Sequence, residues 1–262
     1  MAIVSPKVQT TRHRIKAILN SEDYQIILSD TPGIIEPKYK LHERMMQAVK
    51  GCLEDADVAL LIMDARDNEE EVNAMFEHLK LKVPAFVLIN KSDKILDENR
   101  KKALQEFFIQ KSYAKEVIFI SALQKTGLDD VLTKIVEYLP EGDPFYNTED
   151  LSDLPTKFFV SEIIRERIFA LIEEEIPYQT AVLVREFKEK TTLIKISADI
   201  IVQRETQKAI IIGNKGSMIR QIGTEARKEI ETFLDAKVFL ELFVKVRTNW
   251  RENDTFLREY GY

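Results

Sequence analysis

The chain has 262 residues, 45% of them hydrophobic and 31% charged, which is enough apolar material for a core and excludes a disordered chain. A formal charge of -6 excludes a wholly basic nucleic-acid coat and leaves room only for a local basic groove. The length suits one large domain or two ordinary ones.

Residues 1–13 are polar after the first few positions, and 14–19 then alternate as a strand. A turn cluster at 20–23 and a second strand over 24–28 predict a hairpin. A helix is expected over 41–54, a strand over 58–63 and a helix over 69–81. Five apolar residues at 85–89 suit a strand buried on both faces of a parallel sheet. Asp97 can cap a helix reaching 110. A strand at 117–120 and a helix from Gly127 to 139 complete an alternating strand–helix pattern, which implies a mostly parallel, doubly wound sheet. Residues 141–156 are acidic and rich in turn formers, and read as a linker.

The second half predicts a helix over 157–176, strands over 181–189 and 192–203, a helix over 205–212, a helix over 217–234 and a strand over 238–246. A terminal helix and tail follow. The single cysteine, Cys52, allows no internal disulfide partner and points to a reducing compartment. His13, His42 and His78 lack metal-ligand spacing. No apolar run spans a bilayer, and residues 1–4 do not read as a signal peptide.

Three polar motifs end strands of the first half: Asp30-Thr31-Pro32-Gly33, Asn90-Lys91-Ser92-Asp93 and Ser121-Ala122-Leu123. Ligands of open α/β sheets bind at such carboxyl ends, so the three are expected on one rim. The Asp93 carboxylate can accept two hydrogen bonds from the guanine edge, where N1–H and the exocyclic amine lie side by side. The Lys91 stem can cover the ring, and the Asn90 amide can reach a ring nitrogen. Taken alone, N-K-S-D also reads as a polar turn after a strand.

Together these motifs resemble the translation-factor-related GTPases. With V-S-P-K-V-Q-T-T-R-H-R-I at the start and I-I-G-N-K-G near the end, the whole chain resembles the Era-type GTPase family. The resemblance implies GTP and Mg2+ as cofactors. Asp30 would hold the magnesium through water, and Thr11, with Thr10 second, would complete its shell. The Gly33 amide would meet the γ-phosphate, with Thr31, Pro32 and Ile34 beside it. Asn90, Lys91 and Asp93 would read guanine, flanked by Ser92. The Ser121-Ala122 backbone, continued by Leu123, would donate to the guanine oxygen.

Two departures stand out. Ile34 follows Gly33 where many GTPases carry a glutamine that orients water, so hydrolysis is expected to be slow or differently assisted. No G-x-x-x-x-G-K-[ST] occurs in the 262 residues. In the family a strand, that loop and a helix precede V-S-P-K, the strand lying between the D-T-P-G strand and 58–63. A truncated or late-start reading frame is therefore expected, with impaired nucleotide binding, and turnover is left open.

Residues 157–262 resemble a type II KH domain. Gly213-x-x-Gly216 between two helices lets the backbone approach a nucleic-acid strand, and Ile212, Asn214, Lys215 and Arg220 join it as expected RNA contacts. Lys208, Arg227 and Lys228 add charge nearby, and Ile210, Ile211, Ile212 and Ile219 are candidates for an apolar floor. Trp250 is expected either to stack on a base or to be buried. The domains expected are 1–140 (GTPase), 141–156 (linker) and 157–262 (KH).

The resemblance implies binding to small-subunit ribosomal RNA and the 30S subunit, in the cytoplasm, with a peripheral contact at the inner membrane as a further implication. The competing reading is a KH-type RNA-binding protein that works without nucleotide. A membrane-associated signalling GTPase has less support, since no lipid anchor or basic amphipathic helix is present.

Overall fold

The computed structural model describes residues 3, 4, 7, 9–95 and 97–262. Ser5, Pro6 and Val8 of the V-S-P-K-V motif lie outside the described residues. The chain divides into two compact units. One draws on the described residues up to Asn20, on Gln25–Val49 and on Tyr146–Tyr262; the other comprises Ser21–Tyr24 and Lys50–Phe145.

In the second unit, β3 (Ala59–Asp64), β4 (Ala85–Asn90) and β5 (Ala114–Phe119) form a parallel sheet in the order β3-β4-β5. Ala85 to Ile89 are all buried, the strongest burial of any strand here, as a central parallel strand requires. β5 starts three residues before the expected position, because the ladder with β4 breaks between Ala85 and Phe86 and so reaches Ala114. Around the sheet run α2 (Glu69–His78), α3 (Glu98–Ile109) and α4 (Leu128–Tyr138). Asn68 caps α2 by accepting from the Glu70 and Glu71 amides, and Asp97 caps α3 through the Asn99 amide. α2 ends at His78, short of 81, because Lys80 turns into the left-handed region. Gly127 opens α4 at φ 73, and a Cβ there would run into the Phe119 carbonyl.

In the first unit, β1 (Ile15–Asn20) and β2 (Gln25–Asp30) pair antiparallel, Ile15 opposite Asp30. Among the described residues β2 pairs only with β1, and β3 only with β4. Residues 151–153, after α4, are hydrogen-bonded to β1. Ile18 N donates to Leu151 O (3.0 Å), Ser152 Oγ to Lys16 O (2.6 Å), and Lys16 Nζ pairs with Asp153 (2.7 Å).

The α+β portion has α5 (Thr156–Leu171), β6 (Ala181–Glu189), β7 (Ile194–Val202), α6 (Glu205–Ile212), α7 (Ser217–Leu234) and β8 (Val238–Val246). β6 and β7 are antiparallel and β7 and β8 parallel, the arrangement of the expected KH module. Its core takes Val160, Ile164 and Ile168 from α5, alternate residues of β7, and Ile222, Ala226 and Ile230 from α7. α5 stops at Leu171, not 176. The carbonyls of Phe169 and Ile172 accept from Lys7 Nζ (2.7 and 2.6 Å), and three glutamates follow where the helix end is already negative.

α1 (Lys40–Asp55) begins in this unit, placing Leu41 and Met45 against Ala181, Ile201, Trp250, Leu257 and Tyr260; the last two belong to or border α8 (Asp254–Glu259). Trp250 is fully buried and donates from Nε1 to Gln179 O (3.1 Å), so the base-stacking option falls away. Cys52 is buried, as a small hydrophobe would be.

Candidate functional site

At the end of β4 the chain turns sharply, with Lys91 at φ 59. The Asn90 side chain makes this turn: its Oδ1 accepts from the Lys91 amide (2.8 Å) and the Ala122 amide (3.0 Å). Ser92 N donates to Ile120 O (3.1 Å), so the two loops after β4 and β5 are joined by backbone and side chain. Ser121 is fully buried, and its hydroxyl donates to Asp93 Oδ1 (2.6 Å). That bond holds the Asp93 carboxyl below the usual range, so it is ionised at neutral pH and able to accept from N–H donors. Leu123 is 83% exposed at the rim.

Asp64 was missed by the motif reading. It ends β3, and its Oδ2 pairs with Lys91 Nζ (2.8 Å) and with Arg66 Nη2 (2.7 Å). The Arg66 bond is the first cause of its lowered pKa, with Lys91 adding to it. The available signal was an aspartate closing an apolar run, the same grammar as Asp30. In this structure Lys91 thus rests on Asp64.

In the other unit, Thr11 Oγ1 donates to Asp30 Oδ2 (3.1 Å); Thr10 does not reach it through any described bond. Local desolvation raises the Asp30 pKa, against the Thr11 hydroxyl and the Thr31 amide, which lower it. Pro32 is buried and Gly33 exposed, with nothing within 4 Å of an added Cβ, so its backbone is open to approach. Ile34 follows, half-buried. Among the described residues no group of three or more His, Cys, Asp or Glu gathers as a metal cluster. Magnesium asks for less from protein: one or two carboxylates, oxygen donors, retained waters and substrate phosphates. The adjacent Asp30 carboxylate and Thr11 hydroxyl fit that requirement.

The third candidate lies between α6 and α7. Gly213, Lys215 and Gly216 all have positive φ (72, 49 and 78). A Cβ on Gly213 would lie 2.7 Å from Met218 Cβ, so only glycine fits. Asn214, Lys215 and Arg220 are exposed, and Ile212 is half-buried. Beside the loop runs a groove of about 460 Å³ lined by Gly216, Ile219, Arg220, Arg227, Leu240 and Leu242. The expected floor needs correction. Ile211 is fully buried in the core and Ile210 faces solvent at 50% exposure. The apolar wall comes instead from Leu240 and Leu242 of β8, with Ile219. Their contribution was hidden because β8 is distant in sequence and parallel to β7.

Two family models match parts of this chain. A family described as "50S ribosome-binding GTPase" matches residues 1–91, and one described as "KH domain" matches residues 175–251. "GTPase Era" of Ruminiclostridium cellulolyticum is 37% identical over 265 residues, covering 100% of this chain and 89% of the relative. A crystal structure of Era in complex with MgGDPNP and nucleotides 1506-1542 of 16S ribosomal RNA superposes with a TM-score of 0.93 at 39% identity, covering 100% and 90% of the two chains. An Aquifex aeolicus Era variant bound to GDP and AlF4- gives a TM-score of 0.92 at 38% identity, with the same coverage.

Proposed function

We infer that this chain, which belongs to the GTPase Era family, is a guanine-nucleotide-binding and ribosomal-RNA-binding factor of small-subunit biogenesis. The observation that carries the reading is the Gly213–Gly216 loop opening onto a groove with an apolar wall and two arginines. A single strand needs this combination: glycine backbone for close approach, apolar surface under the bases, cations for phosphates. The ligand is small-subunit ribosomal RNA, contacted by Ile212, Gly213, Asn214, Lys215, Gly216 and Arg220, and the larger partner is the 30S subunit.

Guanine would be read by Asn90, Lys91 and Asp93, with Ser92 and the Ser121-Ala122-Leu123 backbone beside it. The Ser121 hydroxyl orients Asp93 for this, and Lys91 would leave Asp64 to cover the ring. Asp30 and Thr11 would hold Mg2+, which neutralises phosphate charge when bound. Thr31, Pro32, Gly33 and Ile34 would line the terminal phosphate. We assign 1–140 to the GTPase domain, 141–156 to the linker and 157–262 to the KH domain. We place the protein in the cytoplasm, with peripheral contact at the inner membrane as the finer part of the proposal. No helix among the described residues is long and apolar enough to cross a membrane.

Gly216→Asp tests the RNA reading. It puts bulk and negative charge where a phosphate must approach, and Gly216 also holds φ 78. Affinity for single-stranded RNA from the small-subunit 3′ region is expected to fall about tenfold or more, with circular dichroism unchanged. Unchanged binding by a folded variant would overturn it.

Asp93→Asn tests the nucleotide reading. The amide cannot accept from both the guanine N1–H and its amine, whereas xanthine offers an oxygen in place of that amine. Titration calorimetry should show preference moving from GTP toward XTP, and retained GTP selectivity would refute the assignment. The competing reading is RNA binding without nucleotide, carried by the glycine loop and its groove alone. A parent chain that binds RNA but shows no GTP binding in the same titration would support it.

A further inference from the structure

We propose that the rim of the parallel sheet opposite the Asn90 loop is a second RNA-contacting surface, where Lys80, Lys82, Lys111 and Lys115 take the phosphates of a duplex. The inference goes beyond the glycine loop and rests only on the reading of the chain as an RNA-binding factor.

Parallel strands begin at one rim and end at the other, so the amino ends of β4 and β5 lie away from the Asn90 and Ser121 loops. Two segments enter that rim. Residues 78–84 read H-L-K-L-K-V-P and residues 109–115 read I-Q-K-S-Y-A-K. They hold four lysines and no carboxylate, in a chain whose 44 Asp and Glu outnumber its 38 Lys and Arg. The two segments pack together. Tyr113 Oη donates to Asn73 Oδ1 (2.8 Å), and its ring meets Phe76 edge to face at 6.2 Å. Beside them lies a cleft of about 180 Å³ lined by Lys80, Leu81, Ser112 and Tyr113. Glu77 is the only carboxylate on that lining, and Asn73 Nδ2 donates to it (3.1 Å).

The local backbone aims these lysines. Lys80 takes φ 49, in the left-handed region that a residue with a long side chain rarely adopts. On β5, Ala114 faces Ala85 and Glu116 faces Phe86, which leaves Lys115 as an extra residue in the ladder. Such a bulge re-aims a side chain, and Lys115 is exposed. Lys111 lies over the Phe107 ring, 4.2 Å from its centroid. Among the described residues none of the four lysines is in an ion pair, whereas Lys91, Lys94, Lys101 and Lys134 of the same unit all are. α2 and α3 end at this rim, and a cation at a helix carboxyl end is favourable by itself. That accounts for Lys80 and Lys111. Lys82 lies beyond the turn and Lys115 on a strand, so the helix ends explain neither.

Lysines without carboxylate partners are free to replace the counterions of a polyanion. A duplex suits this rim better than a single strand. Single strands are held by ring stacking, and here Phe107 is covered by Lys111 while Tyr113 is half-buried against Phe76. A ridge of phosphates also enters a concave cleft, where a flat lipid surface meets only the edges.

The test uses the full 262-residue chain and a fluorescein-labelled blunt RNA duplex, titrated by anisotropy at several salt concentrations. Lys80→Gln, Lys82→Gln, Lys111→Gln and Lys115→Gln together are expected to weaken duplex binding about tenfold or more and to lower the salt slope by roughly one per lysine. Binding of single-stranded RNA should stay unchanged, and Gly216→Asp should do the reverse. A control with the same net charge, Lys50→Gln with Lys101→Gln, Lys102→Gln and Lys134→Gln, should keep duplex affinity within about twofold, because screening confines each charge to its surroundings. Equal losses in the rim and control variants, or a parent that binds no duplex, would overturn the surface. Rim-dependent binding to vesicles of phosphatidylglycerol and phosphatidylcholine, with none to the duplex, would overturn the RNA assignment. Duplex binding lost only in the rim variant, with single strands still bound by Gly216→Asp, would sink the glycine-loop reading alone. Should the fourfold variant fail to fold, Lys82→Gln with Lys115→Gln changes two exposed residues and is expected to lower the slope by roughly two.

Discussion

Glu162→Ala is expected to lower the unfolding free energy by about 3–5 kcal/mol, the cost of stranding one member of a buried ion pair. Glu162 and Arg165 lie one turn apart on α5 and are 5% and 1% exposed. Arg165 donates from Nε to Oε1 (2.8 Å) and from Nη2 to Oε2 (2.5 Å) of Glu162. Burial pushes the Glu162 carboxyl up, but the Arg165 charge and hydrogen bonds outweigh it, and the group ends below its ordinary range. The alanine variant leaves a buried guanidinium with one bond to Thr10 O and an Nη1 that already has no partner among the described residues. Urea denaturation measures the loss. The double variant Glu162→Met with Arg165→Leu should be more stable than Glu162→Ala, since replacing both charges with apolar volume avoids the stranded cation. A double variant no better than the single would show that the pair is worth more than its desolvation cost.

His13 sets a second large effect, read through pH. Burial lowers its pKa from the ordinary 6.5 to about 4, with the neighbouring Arg165 and Arg12 charges lowering it further and Glu162 raising it. The folded chain thus favours the neutral imidazole, which stacks on Tyr262 and meets the edge of Phe158. A folded pKa below the unfolded one means that the stability is present above about pH 6.5 and is lost as pH falls toward 4. The full loss is about 3 kcal/mol. His13→Phe keeps a stackable ring and has nothing to titrate. Denaturation at pH 7.5 and pH 4 should show the parent losing about 3 kcal/mol more than this variant across that interval. Parallel losses in both would remove His13 from the account.

Much of this chain was legible because local chemistry dictated it. The run at 85–89 suited a doubly buried strand, and it is the most buried strand in the structure. Asp97 was a cap by residue type and position, and accepts from Asn99 N as a cap does. Gly213 and Gly216 were legible as a G-x-x-G between two helices, and the structure gives both a positive φ. Element types followed from periodicity, and their errors sit at ends: α2 stops at His78 before the left-handed Lys80, and α5 stops at Leu171, where Lys7 takes the carbonyls of Phe169 and Ile172.

What only the tertiary structure decided is which partner each polar group found. Ser121 was read for its backbone, yet its hydroxyl orients Asp93, and Asp64 takes Lys91, though no motif joins these residues. The groove wall passed from Ile211 to Leu240 and Leu242 because a helix buries one stripe of a continuous apolar run, and only the packed sheet says which. The buried Arg12 guanidinium donates to the carbonyls of Pro177, Tyr178 and Thr180, 165 to 168 residues away, a contact that no local pattern could show. By itself the sequence determined the elements, their caps and the glycines, because those answer to neighbours within a few residues. The pairing of charges and the lining of the groove answer to chain segments brought together by burial, and those only the fold could settle.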